Sequence, residues 1–98
     1  MNPSVTKIKQ ARRMLLEALN MVYPSGLRQV SLLKVIAGID PDYERDLLVK
    51  DLAYLREKQY IEAVGEQLAV SWDGRVVKLT AAGNEIATSI RSDPALEI

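Results

Sequence analysis

The chain contains no cysteine and no histidine. Without cysteine there is no disulfide, no thiol nucleophile and no thiolate ligand for a metal. Without histidine the commonest general base and the commonest metal ligand are both missing. The sequence also lacks a nucleophile–base constellation and a glycine-rich phosphate loop, so catalysis would rest on carboxylates, lysine or tyrosine. Neither an enzyme nor a cofactor or metal is therefore expected. An excess of charge is absent too: 13 basic residues stand against 13 acidic ones. That balance argues against disorder, and equally against a strongly basic nucleic-acid binder. No apolar run approaches the length of a membrane span, and the N-terminus has no signal-peptide core, so a cytoplasmic location without a membrane partner is expected. No internal repeat or low-complexity stretch is visible.

What remains is ordinary globular material, 98 residues long, which suits one domain with a small core. Ser4 or Thr6 can cap a first helix running to about Tyr23, with Ile8, Ala11, Leu15, Leu19 and Val22 on one face. Met14 and Met21 lie off that stripe, where they can fill core gaps or meet a second copy of the chain. Pro24-Ser25-Gly26 makes a turn, and Leu27-Arg28-Gln29 a short strand. Ser31 can cap a second helix through Ala37, with Leu32, Leu33 and Ile36 inward and Gly38 as its stop. Asp40-Pro41-Asp42 reads as the opening of a third helix, Asp40 as N-cap and Pro41 in the first turn. Leu48, Leu52 and Leu55, with Leu47 beside them, give that helix its core stripe. Tyr60 to Val64 alternates like a strand, Leu68 to Trp72 is extended, and Asp73-Gly74 signals a two-residue hairpin. With the tip there, Trp72 faces Arg75, Val70 faces Val77 and Leu68 faces Leu79; a principal turn at Gly65 is the alternative. Thr80 caps a last helix with Ala82, Ile86 and Ile90 on its apolar side, so residues 1–91 form the domain and 92–98 a tail.

The run DLAYLREKQYIE, from Asp51 to Glu62, resembles the end of a recognition helix entering a wing strand. The run DGRVVKLTAAGNEIA, from Asp73 to Ala87, is similar to a wing, its return strand and the start of the next helix. Both are common in winged helix-turn-helix regulators of the MarR, ArsR and PadR kind. With the first helix and the short length, the chain most resembles small stand-alone winged-helix proteins of Mu-like phages and prophages, over roughly Val5 to Ile90. One departure is Gln59, where the family has a glycine suited to a left-handed helix stop. The resemblance implies an α+β winged helix: a three-helix core, a β-hairpin wing and a C-terminal helix. It also implies a DNA-binding regulator or accessory factor of a mobile element.

The charges test that implication. Basic residues for phosphate or groove contact are Arg12 and Arg13 on the first helix, Arg28, Arg45, Lys50 and Arg56 around the third, and Arg75 on the wing. Lys7, Lys9, Arg12 and Arg13 together are equally a solvated helix face, and Arg75 is equally a cation–π partner of Trp72. The side of the third helix opposite its leucines carries Asp42, Asp46, Val49, Lys50, Ala53 and Glu57, with Arg45 and Arg56 at its flank. Three carboxylates against one central lysine is poor chemistry for a groove between phosphates. A protein-interaction module with this acidic face on a basic partner is thus the second expectation. Neutral net charge further suggests that DNA binding needs a homodimer. Asp40, Asp42, Glu44, Asp46 and Asp51 have the spacing of a calcium loop, but Arg45 stands where the loop needs glycine. They read better as negative charge at a helix N-terminus.

Overall fold

The computed structural model describes the backbone of residues 5–64 and 71–92, and side chains as far as residue 89. Its elements run α1 (Val5–Val22), β1 (Gly26–Arg28), α2 (Gln29–Ala37), α3 (Arg45–Glu57), β2 (Ile61–Ala63), β3 (Val76–Leu79) and α4 (Ala81–Ser92). A single 3-10 turn, Trp72–Gly74, precedes β3. The strands form one antiparallel sheet in the order β1-β3-β2. Helix, strand, two helices, two strands and a last helix make the α+β winged helix.

The leucine stripes meet in one core. Leu15, Leu16 and Leu19 of α1 pack with Leu32 and Ile36 of α2 and with Leu48, Leu52 and Leu55 of α3. Ile61, Val77 and Leu79 close the sheet side, and Ala87 of α4 completes it. In α1 the expected stripe is buried at Ala11, Leu15 and Leu19 and extended by Leu16. Met14 packs against the core, but Met21 does not: it is 84% exposed. In α4 the inward face is Gly83, Ile86 and Ala87 rather than Ala82, which is exposed, and the Ile90 side chain lies outside the described residues. A Cβ at Gly83 would land on the Tyr60 carbonyl oxygen, so only glycine lets α4 approach the end of α3 this closely. Thr80 clips the same junction: its Oγ1 donates to the Gln59 carbonyl (2.6 Å) and accepts from the Gly83 N–H (3.0 Å). That is the N-cap expected of it.

Local chemistry moves several boundaries. α2 starts at Gln29, ahead of Ser31, because its first donors are met by tertiary partners instead of a hydroxyl. The Gln29 N–H donates to the Arg75 carbonyl (2.8 Å) and its side-chain amide to the Trp72 carbonyl (2.7 Å). Gly38 ends α2 in a right-handed conformation (φ −65°), not as a left-handed stop. α3 starts at Arg45 rather than at Asp40. Asp40-Pro41-Asp42-Tyr43 is instead a turn, with the Tyr43 N–H on the Asp40 carbonyl (3.0 Å) and the Asp42 N–H on the Asp40 carboxylate (3.2 Å). Asp–Pro suits positions i and i+1 of a turn as well as it suits a helix start, and here the turn wins. Asp42 therefore leaves the face of α3. At the other end, Gln59 adopts the left-handed conformation (φ 64°) despite its side chain. The Tyr60 N–H reaches the Leu55 carbonyl (3.0 Å) and the Gln59 N–H the Arg56 carbonyl (2.9 Å), so the helix closes with the double bond pattern that glycine normally serves. The Tyr23–Pro24 peptide is cis.

The wing differs most from expectation. Asp73-Gly74 is no hairpin tip: these residues sit in the 3-10 turn, with the Gly74 N–H on the Ser71 carbonyl (3.1 Å). β3 pairs with β2, Ile61 opposite Leu79 and Ala63 opposite Val77, and on its other edge with β1. Val77 thus has Leu27 and Ala63 opposite it, and Leu79 has Ile61. Residues 65–70, including Gly65 and the partners expected for these two, Val70 and Leu68, lie outside the described residues, as does the tail beyond Ser92.

Candidate nucleic-acid interface

α3 is the element a winged helix offers to DNA, and its surface divides into strips. At 3.6 residues per turn, Leu48, Leu52 and Leu55 define the buried side. Asp46, Lys50, Ala53 and Glu57 lie opposite, all exposed. To one side come Leu47, Asp51 and Tyr54, facing α1. To the other come Arg45, Val49 and Arg56. Trp72 identifies this last strip as the wing side, because the Arg45 guanidinium lies 4.3 Å from the centre of the Trp72 ring.

The turn carrying Trp72 is fixed on α2 by the two Gln29 hydrogen bonds to the Trp72 and Arg75 carbonyls. The same pairing sets Arg28 opposite Val76, one residue from Arg75. Three arginines from separate parts of the sequence thus gather at one end of the molecule: Arg28 where β1 enters α2, Arg45 at the start of α3, and Arg75 at the base of the wing. Arg56 continues the edge three turns along α3, about 16 Å farther at 1.5 Å per residue. All four are exposed, and Arg28, Arg45 and Arg56 have no ion-pair partner among the described residues. The turn points the indole at α3, where it carries the Arg45 guanidinium.

The basic patch on α1 is not a free phosphate-contacting surface. Arg12 turns inward, its Nε donating to Asp51 Oδ1 (3.3 Å) and its guanidinium lying 3.6 Å from the centre of the Tyr54 ring. The second Asp51 oxygen accepts from the Tyr43 hydroxyl (2.7 Å). Asp51 is almost fully buried, and burial pushes its carboxyl above the ordinary aspartate value, against the opposing pull of Tyr43 and Arg12. The Tyr43 hydroxyl is driven up, first by its own burial and then by the carboxylate, so it stays a donor. This network ties α1, the Asp40–Tyr43 turn and α3 together. By sequence Asp51 groups with the acids at the helix N-terminus, and nothing in local spacing signals its long-range partner. Arg13 is half-buried and partnered. Lys50 is exposed on the outer face of α3, and it also lines the cleft between α3 and α1. No cluster of potential metal ligands occurs among the described residues.

No family model matches the chain, and no curated protein sequence matches it. Among solved structures it is similar to the crystal structure of SSV1 F-93, with a TM-score of 0.61 over 84% of this chain and 82% of that one, at 15% sequence identity. At that identity the similarity concerns the fold.

Proposed function

We propose that the chain is a DNA-binding winged-helix protein, a transcriptional regulator or accessory factor of a phage or other mobile element. It acts in the cytoplasm by binding rather than by catalysis. The observation that carries this reading is the set of exposed arginines on the wing side, Arg28, Arg45, Arg56 and Arg75, with Arg45 stacked on Trp72 and Arg28 and Arg75 brought near by the β1–β3 pairing. Winged helices place this part of the molecule between major groove and phosphate backbone. On this reading α3 enters edge-on, its arginine strip toward phosphate, with Asp46 and Glu57 kept off the nearest strand. The fold and the resemblance of Asp51–Glu62 and Asp73–Ala87 to regulator segments support the same assignment. A second copy of the chain would double the arginines presented to one duplex, and Met21, exposed at the end of α1, is a residue it can cover.

Four phosphate contacts per protomer would give a salt slope of about −3.6 on a double-logarithmic plot, from about −0.9 per contact. Fluorescence anisotropy with a random duplex at about 50 and about 200 mM salt measures it. Arg45→Ala with Arg75→Ala should weaken binding to all sequences alike and flatten the slope by about two contacts. No binding by the wild type at the lower salt would refute the reading. The exposed acidic centre of α3 favours the second possibility in that case, a module whose Asp46 and Glu57 engage a basic protein partner. Asp46→Lys with Glu57→Lys would then abolish partner capture.

A further inference from the structure

A cleft lies between α1 and α3, away from the Arg45–Trp72 contact on the wing side. Its volume is about 410 Å³, within the range of sites that hold small molecules. Ile8 and Ala11 of α1 and Leu47 of α3 make its apolar wall. Its floor is the Arg12–Asp51–Tyr43 network, in which both Asp51 oxygens already have donors. The floor therefore holds its shape and offers no unmet carboxylate to a cation. Among the described residues, no buried side-chain polar atom lacks a partner.

The charge around the cleft is specific. Among the described lining residues Lys7, Arg12 and Lys50 face Asp40 and Asp51, three cations against two carboxylates, a balance of +1. Arg12 is committed to Asp51, and Lys7 lies 4.0 Å from Asp40. Lys50 has no ion-pair partner among the described residues. One cation is left to be answered at the edge of an apolar wall. A dianion such as a phosphate ester would bring two charges to a site where, among the described residues, Lys50 supplies only one cation not already paired.

We infer that this cleft binds a small amphipathic monocarboxylate, its apolar body on Ile8, Ala11 and Leu47 and its carboxylate on Lys50. Such a ligand would touch α1, the Asp40–Tyr43 turn and α3 together, and so would bear on the placement of α3.

The test uses hexanoate, benzoate and indole-3-acetate, each beside its neutral amide, titrated into the isotopically labelled full chain and read by amide NMR shifts. At least one acid should give saturable shifts at Ile8, Ala11, Leu47 and Lys50, with a dissociation constant on the order of millimolar for so small a probe. Its amide should bind about tenfold more weakly, the worth of one charge-assisted hydrogen bond. Lys50→Gln should erase the preference for acid over amide while leaving amide binding unchanged. Ile8→Gln should weaken acid and amide alike. Both substitutions lie at solvent-accessible positions, and the same spectra show whether the variants are folded. The inference is overturned if no acid gives saturable shifts, if the shifts centre elsewhere, or if the acid preference survives Lys50→Gln. No DNA enters the experiment, so its outcome is independent of the proposed function.

Discussion

Arg12→Ala separates a structural arginine from a DNA-contacting one. In the folded chain Arg12 supplies the cation for Asp51, whose side chain is 8% exposed, while its own side chain is 20% exposed. Removing one partner of a buried pair costs roughly 3–5 kcal/mol. The partial exposure of Arg12 and the 3.3 Å contact place this pair below that range, at about 2 kcal/mol. The stack on Tyr54, at 3.6 Å, adds about 1 kcal/mol. The expected loss is therefore about 3 kcal/mol. A domain of this size has roughly 5–15 kcal/mol in hand, so the variant stays folded, and its melting temperature falls by about 12–24 °C. Urea unfolding followed by circular dichroism measures the loss. A cycle with Asp51→Ala isolates the pair and should return a coupling of about 2 kcal/mol. Anisotropy on the folded variant should show unchanged affinity for a random duplex. An Arg12→Ala protein within about 0.5 kcal/mol of wild type, with no coupling to Asp51 and tenfold weaker DNA binding, would refute the reasoning and return Arg12 to the interface.

Three further outcomes are expected. Asp51 has its folded pKa raised from the ordinary value of 3.8, so between that value and the raised one the folded state holds more protons than the unfolded state. Stability from this group therefore rises as pH falls through that window. Melting curves of wild type and Asp51→Asn should draw apart in favour of the wild type on acidification, and a constant difference would contradict the burial argument. Gln59→Gly should stabilise the chain by about 1 kcal/mol in urea unfolding, by relieving a left-handed non-glycine residue at φ 64°; a loss of stability would show that the side chain contributes more than the strain costs. Met21→Lys should lower the sedimentation coefficient at micromolar concentration if a second copy covers that 84% exposed residue, and a wild type already monomeric there would exclude the dimer.

Helical periodicity made most of the fold legible. The α3 stripe and the middle of the α1 stripe, Ala11, Leu15 and Leu19, are buried where spacing put them, and Thr80 caps α4 through its hydroxyl. Errors arose where one motif serves two structures. Asp40-Pro41-Asp42 is both a helix start and a turn, and Asp73-Gly74 is both a hairpin tip and a 3-10 turn. At Asp40 the turn is closed by its own hydrogen bonds, whereas at Asp73-Gly74 the choice was made by partners distant in sequence: β2 and β1 flank β3, and Gln29 held the Trp72–Arg75 turn. The candidate site was legible as a set of cations but not in its grouping. Arg45, Arg28 and Arg75 come together only through tertiary contacts, and Arg12 leaves the set only because Asp51, 39 residues away, is buried beside it.

The formal net charge of zero therefore says little about what the surface can attract. Charge acts through its distribution, and a sum discards that. Arg12 and Asp51 cancel in the interior, Lys7 lies against Asp40, and Lys78 lies 3.5 Å from Glu62. These pairs remove cation and anion together, leaving the balance unchanged but the field weakened where they sit. On α3 the remaining charges separate by strip: arginines toward the wing, and carboxylates with one lysine, Lys50, on the outer face. The acidic centre that speaks against groove binding and the arginine edge that speaks for it are a third of a turn or so apart on one helix. A duplex approaching from the wing side meets the arginines first, and the carboxylates then penalise any rotation that brings phosphate over the centre. An arrangement of this kind restricts orientation more than it raises affinity, as opposed charges at an interface generally do.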